Sequence, residues 1–438
     1  IYSDSNINFN RYKMAPLIVD ITSLAYGGKG VGRIDGKVVF VPYAAPGDRV
    51  KIDIISEKKG FLEGRLLEVV LPSSIRQDPP CPLFGRCGGC HWEHISYPAQ
   101  VDWKDRIFRE TIERIGGIRD LPLEPPIPAA EPFRYRVKAQ FHIKDHIWGF
   151  FEAGSHRVIE VGECYLLDPV LNKAFISLRN YIEENQSGLP IHTVEIGKSD
   201  LDGKAVALIH LNEKKDLKPD EILEAIKELK GIEFRITLPG KRSGKIISTI
   251  GDTSLVYRFR GLTLQAEIST FSQVNISQNL RLVDTVLEYV DVGHEDSILD
   301  LYCGAGNLAL PLAERCRKAI GVDMDPSAIS DATSNAKANS IKNVNFICSD
   351  ASMGLKSVSK TLPVIVVLDP PREGGFEVIK GIAGLKPRRI VYVSCNPSTL
   401  ARDLAVLIRE GYVVKRARVI DMFPQTYHIE GVVELQHG

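Results

Sequence analysis

The stretch Asp300-Leu-Tyr-Cys-Gly-Ala-Gly-Asn-Leu-Ala309 decides the fold. It closes the strand-like run Ser297–Leu301 and opens a helical one. Gly304 and Gly306 let the backbone turn sharply and lie close to a ligand. The next strand-like run, Ala319–Val322, ends on Asp323, where a carboxylate can accept hydrogen bonds from both hydroxyls of a ribose. Asp325 and Pro326 then stand where a helix cap and a first helical residue belong. Further strand-like runs, Val344–Ile347, Val364–Leu368 and Ile390–Val393, alternate with helical ones. This βαβ series predicts an α/β domain over residues 266–438, a doubly wound, Rossmann-like parallel sheet. Val364–Leu368 is apolar throughout, as a strand buried on both faces requires. Glycine turn and acidic strand end fit two ligand classes, NAD-type dinucleotides and S-adenosylmethionine (SAM), and alone do not choose between them.

Working outward, residues 14–73 read as β-rich. Lys37–Pro42 and Arg49–Ile55 are strand-like, with glycines punctuating them, which is the pattern of a small OB-like barrel. Leu71–Pro80 is a linker. Residues 74–265 form a mixed α+β region, with helices expected at Trp103–Ile115 and Lys218–Lys230 and a strand at Phe133–Ile143. The 438 residues carry 55 Lys+Arg against 55 Asp+Glu and are 44% hydrophobic, which excludes a disordered chain and a uniformly basic surface. No apolar run reaches the roughly 18 residues that cross a bilayer, so no membrane partner is expected. The polar stretch Ile1–Lys13 is no signal peptide, and Met14 is the expected start. Cys81, Cys87 and Cys90 cluster, with Cys164 apart; in a reducing cytoplasm clustered cysteines are metal ligands rather than bridges.

Two loops follow strands of the same sheet: Asp369-Pro-Pro-Arg-Glu-Gly374 and Ser394-Cys-Asn-Pro-Ser398. Ligands of open α/β sheets bind at these carboxyl ends, and prolines stiffen both loops. Cys395 lies near the start of a helix carrying Leu400, Leu404 and Leu407, with Ser398 as its expected cap. A helix N-terminus favours the thiolate. Cys303, Cys316 and Cys348 read as packing residues. A thiolate beside a methyl donor suits one difficult reaction. Added to carbon 6 of a pyrimidine, it makes carbon 5 nucleophilic; a base then removes the carbon 5 proton and the thiolate leaves. Cys395 and Asp369 supply two of the groups needed, and Phe423-Pro-Gln-Thr-Tyr-His-Ile-Glu430 offers His428 or Glu430 as base.

DLYCGAGNLAL, DPPREG, SCNP and MFPQTYHIEGV together resemble the RNA 5-methyluridine methyltransferases of the RumA/TrmA type. The likeness extends to Phe271-Ser-Gln-Val-Asn275, to the cysteine cluster and, over residues 17–71, to the TRAM barrel, so it covers nearly the whole chain. It implies SAM-dependent methylation of uridine carbon 5, with Cys395 as nucleophile, Glu430 as base and Asp369 on the uracil edge. Gln273, Tyr302, Gly304, Asp323, Asp350 and Asp369 would line the SAM site. Arg372 stands where 5-methylcytidine enzymes place their nucleophilic Cys, which favours uridine. The sequence departs from the family pattern in lacking Pro after Cys164 and in carrying Asp rather than Glu at 323.

Cys81, Cys87, Cys90 and Cys164 can complete a Cys₄ site. Spacing does not separate [4Fe–4S] from zinc; the resemblance implies the iron–sulfur cluster. The partner implied is a structured RNA, a tRNA T-loop uridine (position 54) ahead of large-subunit ribosomal RNA, acted on by a monomer needing no protein partner. Arg134, Arg136 and Lys138 alternate along one strand, a cationic face for phosphates, and Lys29, Arg33, Lys58 and Lys59 make a second patch in the barrel. Phe271 is the candidate stacking residue for a base drawn out of its stack. Two other readings use fewer of these features. An NAD-binding iron–sulfur oxidoreductase has no use for Cys395 or Glu430, and a non-catalytic RNA-binding protein uses the barrel alone.

Overall fold

The computed structural model describes residues 16–186, 188–215, 217–238, 244–358 and 365–438. Ile1–Lys13, Met14 and Val364 lie outside the described residues. The chain divides into two compact units: the residues up to Ile107 with Phe423–His428, and Phe108–Met422 with Ile429–Gly438.

In the first unit β1 (Leu17–Leu24), β2 (Gly30–Ile34), β3 (Lys37–Val41), β4 (Arg49–Glu57) and β5 (Phe61–Leu71) close a barrel in the order β1-β2-β3-β5-β4. Alternate β-branched residues, Val19, Ile21, Val39, Val41, Val50 and Ile52, fill it. Gly32 lets β2 cross β1: a Cβ there would stand 2.6 Å from the Val19 side chain and 2.7 Å from the Asp20 carbonyl oxygen. Lys29 pairs with Glu63 and Arg33 donates to the Gly36 carbonyl, so this half of the expected basic patch is engaged within the barrel. Helix α1 (Tyr97–Gly116) runs on into the second unit.

The second unit holds two sheets. The first comprises β6 (Lys138–Lys144), β7 (Ile147–Phe151), β8 (Val158–Glu160), β9 (Ile191–Lys198), β10 (Ala205–Leu211), β11 (Leu229–Ile236) and β12 (Lys245–Gly251), ordered β12-β11-β10-β9-β6-β7-β8. Helices α2 (Pro169–Asn185) and α3 (Pro219–Ala225) pack on it. The helix expected over Lys218–Lys230 ends at Ala225. Its second half turns into β11, because Ile232 and Phe234 are buried in parallel register with Ala207 and Ile209 of β10. The strand expected from Phe133 begins only at Lys138, and Arg134 has φ +59°, so the three cations do not share a strand face. Arg134 pairs with Glu163, Arg136 donates to the Lys138 carbonyl, and Lys138 donates to the Ile268 and Thr270 carbonyls.

A hairpin, β13 (Ser254–Phe259) and β14 (Leu262–Glu267), and helix α4 (Ile276–Val290) lead to the second sheet. Its chain order is β15 (Ser297–Leu301), α5 (Ala309–Ala313), β16 (Lys318–Asp323), α6 (Pro326–Ala338), β17 (Val344–Cys348), α7 (Ala351–Val358), β18 (Ile365–Leu368), α8 (Phe376–Leu385), β19 (Arg389–Ser394), α9 (Pro397–Arg409), β20 (Tyr412–Ile420) and β21 (Glu430–His437). The spatial order is β17-β16-β15-β18-β19-β21-β20. The first five strands are parallel, and β21 inserts antiparallel between β19 and β20. All four residues of β18 are buried, as their apolar run requires. The order reverses between β15 and β18, the switch point at which such sheets open a crevice. Among the described residues no helix is long and apolar enough to cross a membrane.

Candidate active site

The crevice at the switch point is a cleft of about 730 Å³ whose walls include Phe271, Gln273, Asn279, Asp300, Tyr302, Gly304, Asn307 and Asp369. Its floor is the β15–α5 turn. Tyr302, Gly304 and Gly306 have φ of +65°, +53° and +93°. A side chain at Gly306 would put Cβ 2.9 Å from Leu310. Asp323, at the end of β16, accepts from the Gly304 amide at 2.9 Å and from the Asp325 amide at 3.0 Å, and this ties the turn to the neighbouring strand. Asp325 caps α6 with Pro326 in its first turn, as expected. Asn279 and Asn307 exchange amide hydrogen bonds at 2.8 and 2.9 Å across the wall. Phe271, 66% exposed, stands at the rim. Asp350 lies beyond the end of β17, exposed, and accepts from the Met353 amide.

Asp300 is a functional candidate that sequence reasoning passed over, although it opens the decisive motif. It is 1% exposed, and no side chain hydrogen-bonds its carboxyl oxygens. Burial, then the neighbouring Asp369 and Asp323, hold its pKa well above the ordinary value, with the Ala309 amide a weaker opposing influence. A buried carboxyl with so little protein compensation in a ligand cleft calls for a cationic or strongly donating ligand. The available signal was an acid inside an otherwise apolar strand.

Beside the cleft lie the residues expected to do chemistry. Ser394 of β19 pairs with Gly431 of β21, and the same register carried one residue further sets Cys395 across from Glu430. Asp369 follows β18, which is hydrogen-bonded to β19. Glu430 is 4% exposed; burial and then Asp369 raise its pKa well above the ordinary range, against Arg372. Burial pushes Asp369 up to about 7. Cys395 was expected to be acidified by the helix that follows it, and the structure reverses that sign. Burial, then Glu430 and Asp369, push the thiol up to about 12, with Arg372 as an opposing cation. The cap of α9 is also not Ser398 but Asn396, whose side chain accepts from the Ser398 amide, with Pro397 in the first turn. Arg372, noted in the sequence only for what it excludes, thus bears on both catalytic candidates.

Other sequence candidates fall elsewhere. His428 belongs to the first unit, its ring beside those of Tyr427, His91 and Phe423. Cys303 and Cys316 are buried as expected, but Cys348 is exposed at the end of β17. Cys81, Cys87 and Cys90 occupy one loop of the first unit. There Glu93 accepts from the Cys81 amide at 3.2 Å and bonds the Cys90 thiol, and the Gly89 amide donates to the Cys87 sulfur at 3.4 Å. Cys164 lies in the second unit between β8 and α2, held by reciprocal bonds with Asn172. Among the described residues no three His, Cys, Asp or Glu side chains converge closely enough to hold a metal ion.

A mostly parallel sheet with a glycine turn, an acidic strand end and a carboxylate-lined crevice at its switch point defines a Rossmann-like domain of the class that binds SAM or a dinucleotide, and the chain adds an N-terminal barrel to it. The comparisons with known proteins make the assignment narrower. The tRNA (uracil-5-)-methyltransferase family matches residues 123–437 and the TRAM domain residues 12–67. The chain belongs to the tRNA (uracil-5-)-methyltransferase family. It is 36% identical to an RNA methyltransferase of Halalkalibacterium halodurans, over 95% of this chain and 96% of that one. It is 33% identical to the 23S rRNA (uracil(1939)-C(5))-methyltransferase RlmD of Legionella pneumophila strain Lens, again over 95% and 96%. The crystal structure of Pyrococcus abyssi tRNA (uracil-54, C5)-methyltransferase in complex with S-adenosyl-L-homocysteine superposes with a TM-score of 0.77, at 25% identity over 95% and 99% of the two chains. The protein is therefore an RNA uracil-C5 methyltransferase that uses SAM, and the oxidoreductase and non-catalytic readings fall away.

Proposed function

We propose that the chain methylates carbon 5 of a uridine through a covalent bond between Cys395 and uracil carbon 6. The observation that carries the reading is the β19·β21 register, which sets Cys395 opposite Glu430 beside Asp369 at the cleft. The Cys395 thiolate adds to carbon 6, and Arg372 offsets the charge that Glu430 and Asp369 crowd around it. Asp369 holds a proton near neutrality, so its carboxyl donates to uracil O4 as negative charge develops there and accepts from N3–H. Bound SAM supplies an electrophilic methyl group. Glu430, a carboxylate of raised pKa in a dry site, then takes the carbon 5 proton, and the Cys395–carbon 6 bond breaks to return the thiolate. Gln273, Tyr302, Gly304, Asp300 and Asp369 hold SAM in the cleft, with Asp323 on the ribose and Asp350 near the adenine. The buried Asp300 carboxyl, which no protein side chain hydrogen-bonds, suits the cationic groups of SAM. Phe271 at the rim stacks on the extruded base. All of these groups come from one chain, which supports a monomer as the working unit.

For the RNA, the 33% identity to the Legionella enzymes supports large-subunit ribosomal RNA as substrate. The T-loop uridine of tRNA is the second reading, supported by the likeness to the Pyrococcus abyssi enzyme across 99% of its length. Labelled methyl transfer from SAM to a tRNA transcript and to a 23S fragment, mapped by nuclease digestion and mass spectrometry, separates them. Loss of transfer in Cys395→Ala with SAM binding retained is the expected control. Full transfer by that variant would end the covalent reading.

We also propose that Cys81, Cys87, Cys90 and Cys164 hold a [4Fe–4S] cluster, with zinc as the alternative. The three loop thiols are the ligand type such a cluster takes, and backbone amides aimed at Cys87 and Cys81 partly offset the burial that opposes their ionisation; binding would have to draw them closer together. Iron, sulfide and zinc analysis of anaerobically purified protein decides, since equimolar zinc without sulfide would exclude the cluster.

A further inference from the structure

We propose that Asp403 is a positioning residue for methyl transfer: with Tyr392, Asn396 and Thr399 it clamps the loop after β18 so that the Arg372 guanidinium is held toward Cys395. The inference rests on Cys395 being the nucleophile. Asp403, on α9, is fully buried and takes no part in the chemistry described above. One of its oxygens accepts from the Tyr392 hydroxyl at 2.7 Å and from the Gly375 amide at 2.8 Å; the other accepts from Arg402 Nε at 2.9 Å. The Gly375 amide also donates to the Tyr392 hydroxyl at 2.9 Å. Arg402 reaches the Glu373 carbonyl at 2.9 Å. Asn396 and Thr399 donate to the Arg372 carbonyl at 3.0 and 3.2 Å. Each backbone contact thus runs from β19 or α9 to the loop between Arg372 and Gly375.

The clamp leaves no slack. Gly374 sits at φ +82°, and a Cβ there would stand 2.7 Å from both Arg402 Nη2 and Asp403 Oδ2. A buried carboxylate is an expensive anchor for a loop that needed only to be covered. This loop, however, carries both Asp369 and Arg372. Three charged groups bear on the Cys395 thiol: Glu430 from β21, Asp369 from the end of β18 and Arg372 from the loop. Burial and the two carboxyls oppose the thiolate, and Arg372 favours it. Arg372 is exposed, so the strength of that help depends on how close the loop holds the guanidinium to the thiol. Cys395 stands between Tyr392 of β19 and the Asn396 cap of α9, so one set of hydrogen bonds fixes the nucleophile and its cation to the same body.

The test is the pH dependence of Cys395 alkylation by iodoacetamide, followed by mass spectrometry of the Cys395 peptide, alongside kcat and KM. In Asp403→Ala the alkylation midpoint rises, and the rate at pH 8 falls about tenfold for each pH unit of that rise. kcat falls with it, while KM for SAM stays within about twofold. Asp403→Asn, which keeps an acceptor for Tyr392 and Gly375, recovers part of the rate. Thr399→Val and Tyr392→Phe give smaller shifts in the same direction, and they serve if Asp403→Ala does not fold. Arg372→Gln reproduces the shift, and adding Asp403→Ala to it slows alkylation no further. An unchanged midpoint in the folded Asp403, Thr399 and Tyr392 variants, or full additivity with Arg372→Gln, overturns the inference while leaving an inactive Cys395→Ala intact. Turnover by Cys395→Ala would instead remove the reading on which it rests.

Discussion

Asp369→Asn is expected to stabilise the protein while destroying its activity. In the folded chain the Asp369 carboxyl is pushed from its ordinary 3.8 up to about 7 by burial. A raised carboxyl pKa means that the unfolded chain gives up this proton first. Between those two pH values the folded state therefore binds more protons, and stability falls as pH rises, levelling off above about pH 7. Three pH units correspond to a ceiling of ~4 kcal/mol. Asp369 borders the open cleft and shares its field with Glu430, so water and coupling reduce this to about 1–3 kcal/mol. Asparagine keeps the shape and removes the ionisation. The assay is native-state hydrogen exchange of the β18 and β19 peptides at pH 5 and pH 8, corrected for intrinsic rates, without SAM. The variant should be better protected than the parent at pH 8, with roughly two fifths of that advantage left at pH 5. Equal or weaker protection at pH 8 would show that Asp369 is comfortably ionised in the folded protein, and the assignment of a proton-donating carboxyl would go with it.

Glu430→Gln removes the proposed base but leaves the thiol in place, so a covalent protein–RNA species should accumulate with SAM present and be visible as a shifted band in a denaturing gel; its absence alongside normal turnover would exclude Glu430 as base. Binding of SAM near pH 7 should release protons, because a cationic ligand favours the charged form of Asp300, whose pKa burial and the neighbouring Asp369 and Asp323 hold up; calorimetry in two buffers of different ionisation heat reads this, and identical heats would contradict it. Gly431→Ala would place Cβ 2.3 Å from the Phe108 ring, where ring and strand must give way. The overpacking should cost about 1–3 kcal/mol and lower kcat by displacing the adjacent Glu430; a variant with parental urea midpoint and kcat would refute the close fit.

Much of the catalytic sheet was legible because parallel strands are short apolar runs between turn signals. Ser297–Leu301 and the glycine turn after it, the Asp325–Pro326 helix start and the apolar β18 all needed only local information. β20 and β21 were not legible for the opposite reason. Arg416, Arg418 and Glu434 interrupt their apolar pattern, and what makes these charges tolerable lies far along the chain. Arg416 pairs with Glu434 and Glu288, Arg418 with Glu124 and Glu288, and Arg389 with the 1%-exposed Glu434. The strand expected from Phe133 was misread in the same way, since the Glu163 carboxylate that pairs with Arg134 and the Ile268 and Thr270 carbonyls that take Lys138 lie far along the chain.

The Cys395 thiol shows why residue types identify a site more readily than they fix its energetics. The helix following Cys395 argues for a thiolate, and that argument is sound within ten residues. The β19·β21 pairing then brings Glu430 alongside, and the end of β18 brings Asp369, two buried carboxyls beside the thiol. Their repulsion and the burial outweigh a helix terminus. The empty site therefore opposes ionisation of Cys395, Asp369 and Glu430 alike. That is a workable arrangement for an enzyme whose thiolate must react with one carbon of one flipped base. On the proposed mechanism the thiol stays inert until uracil occupies Asp369 and a cationic donor sits over Asp300, and the charges that oppose ionisation in the empty site become the contacts that hold the two reactants.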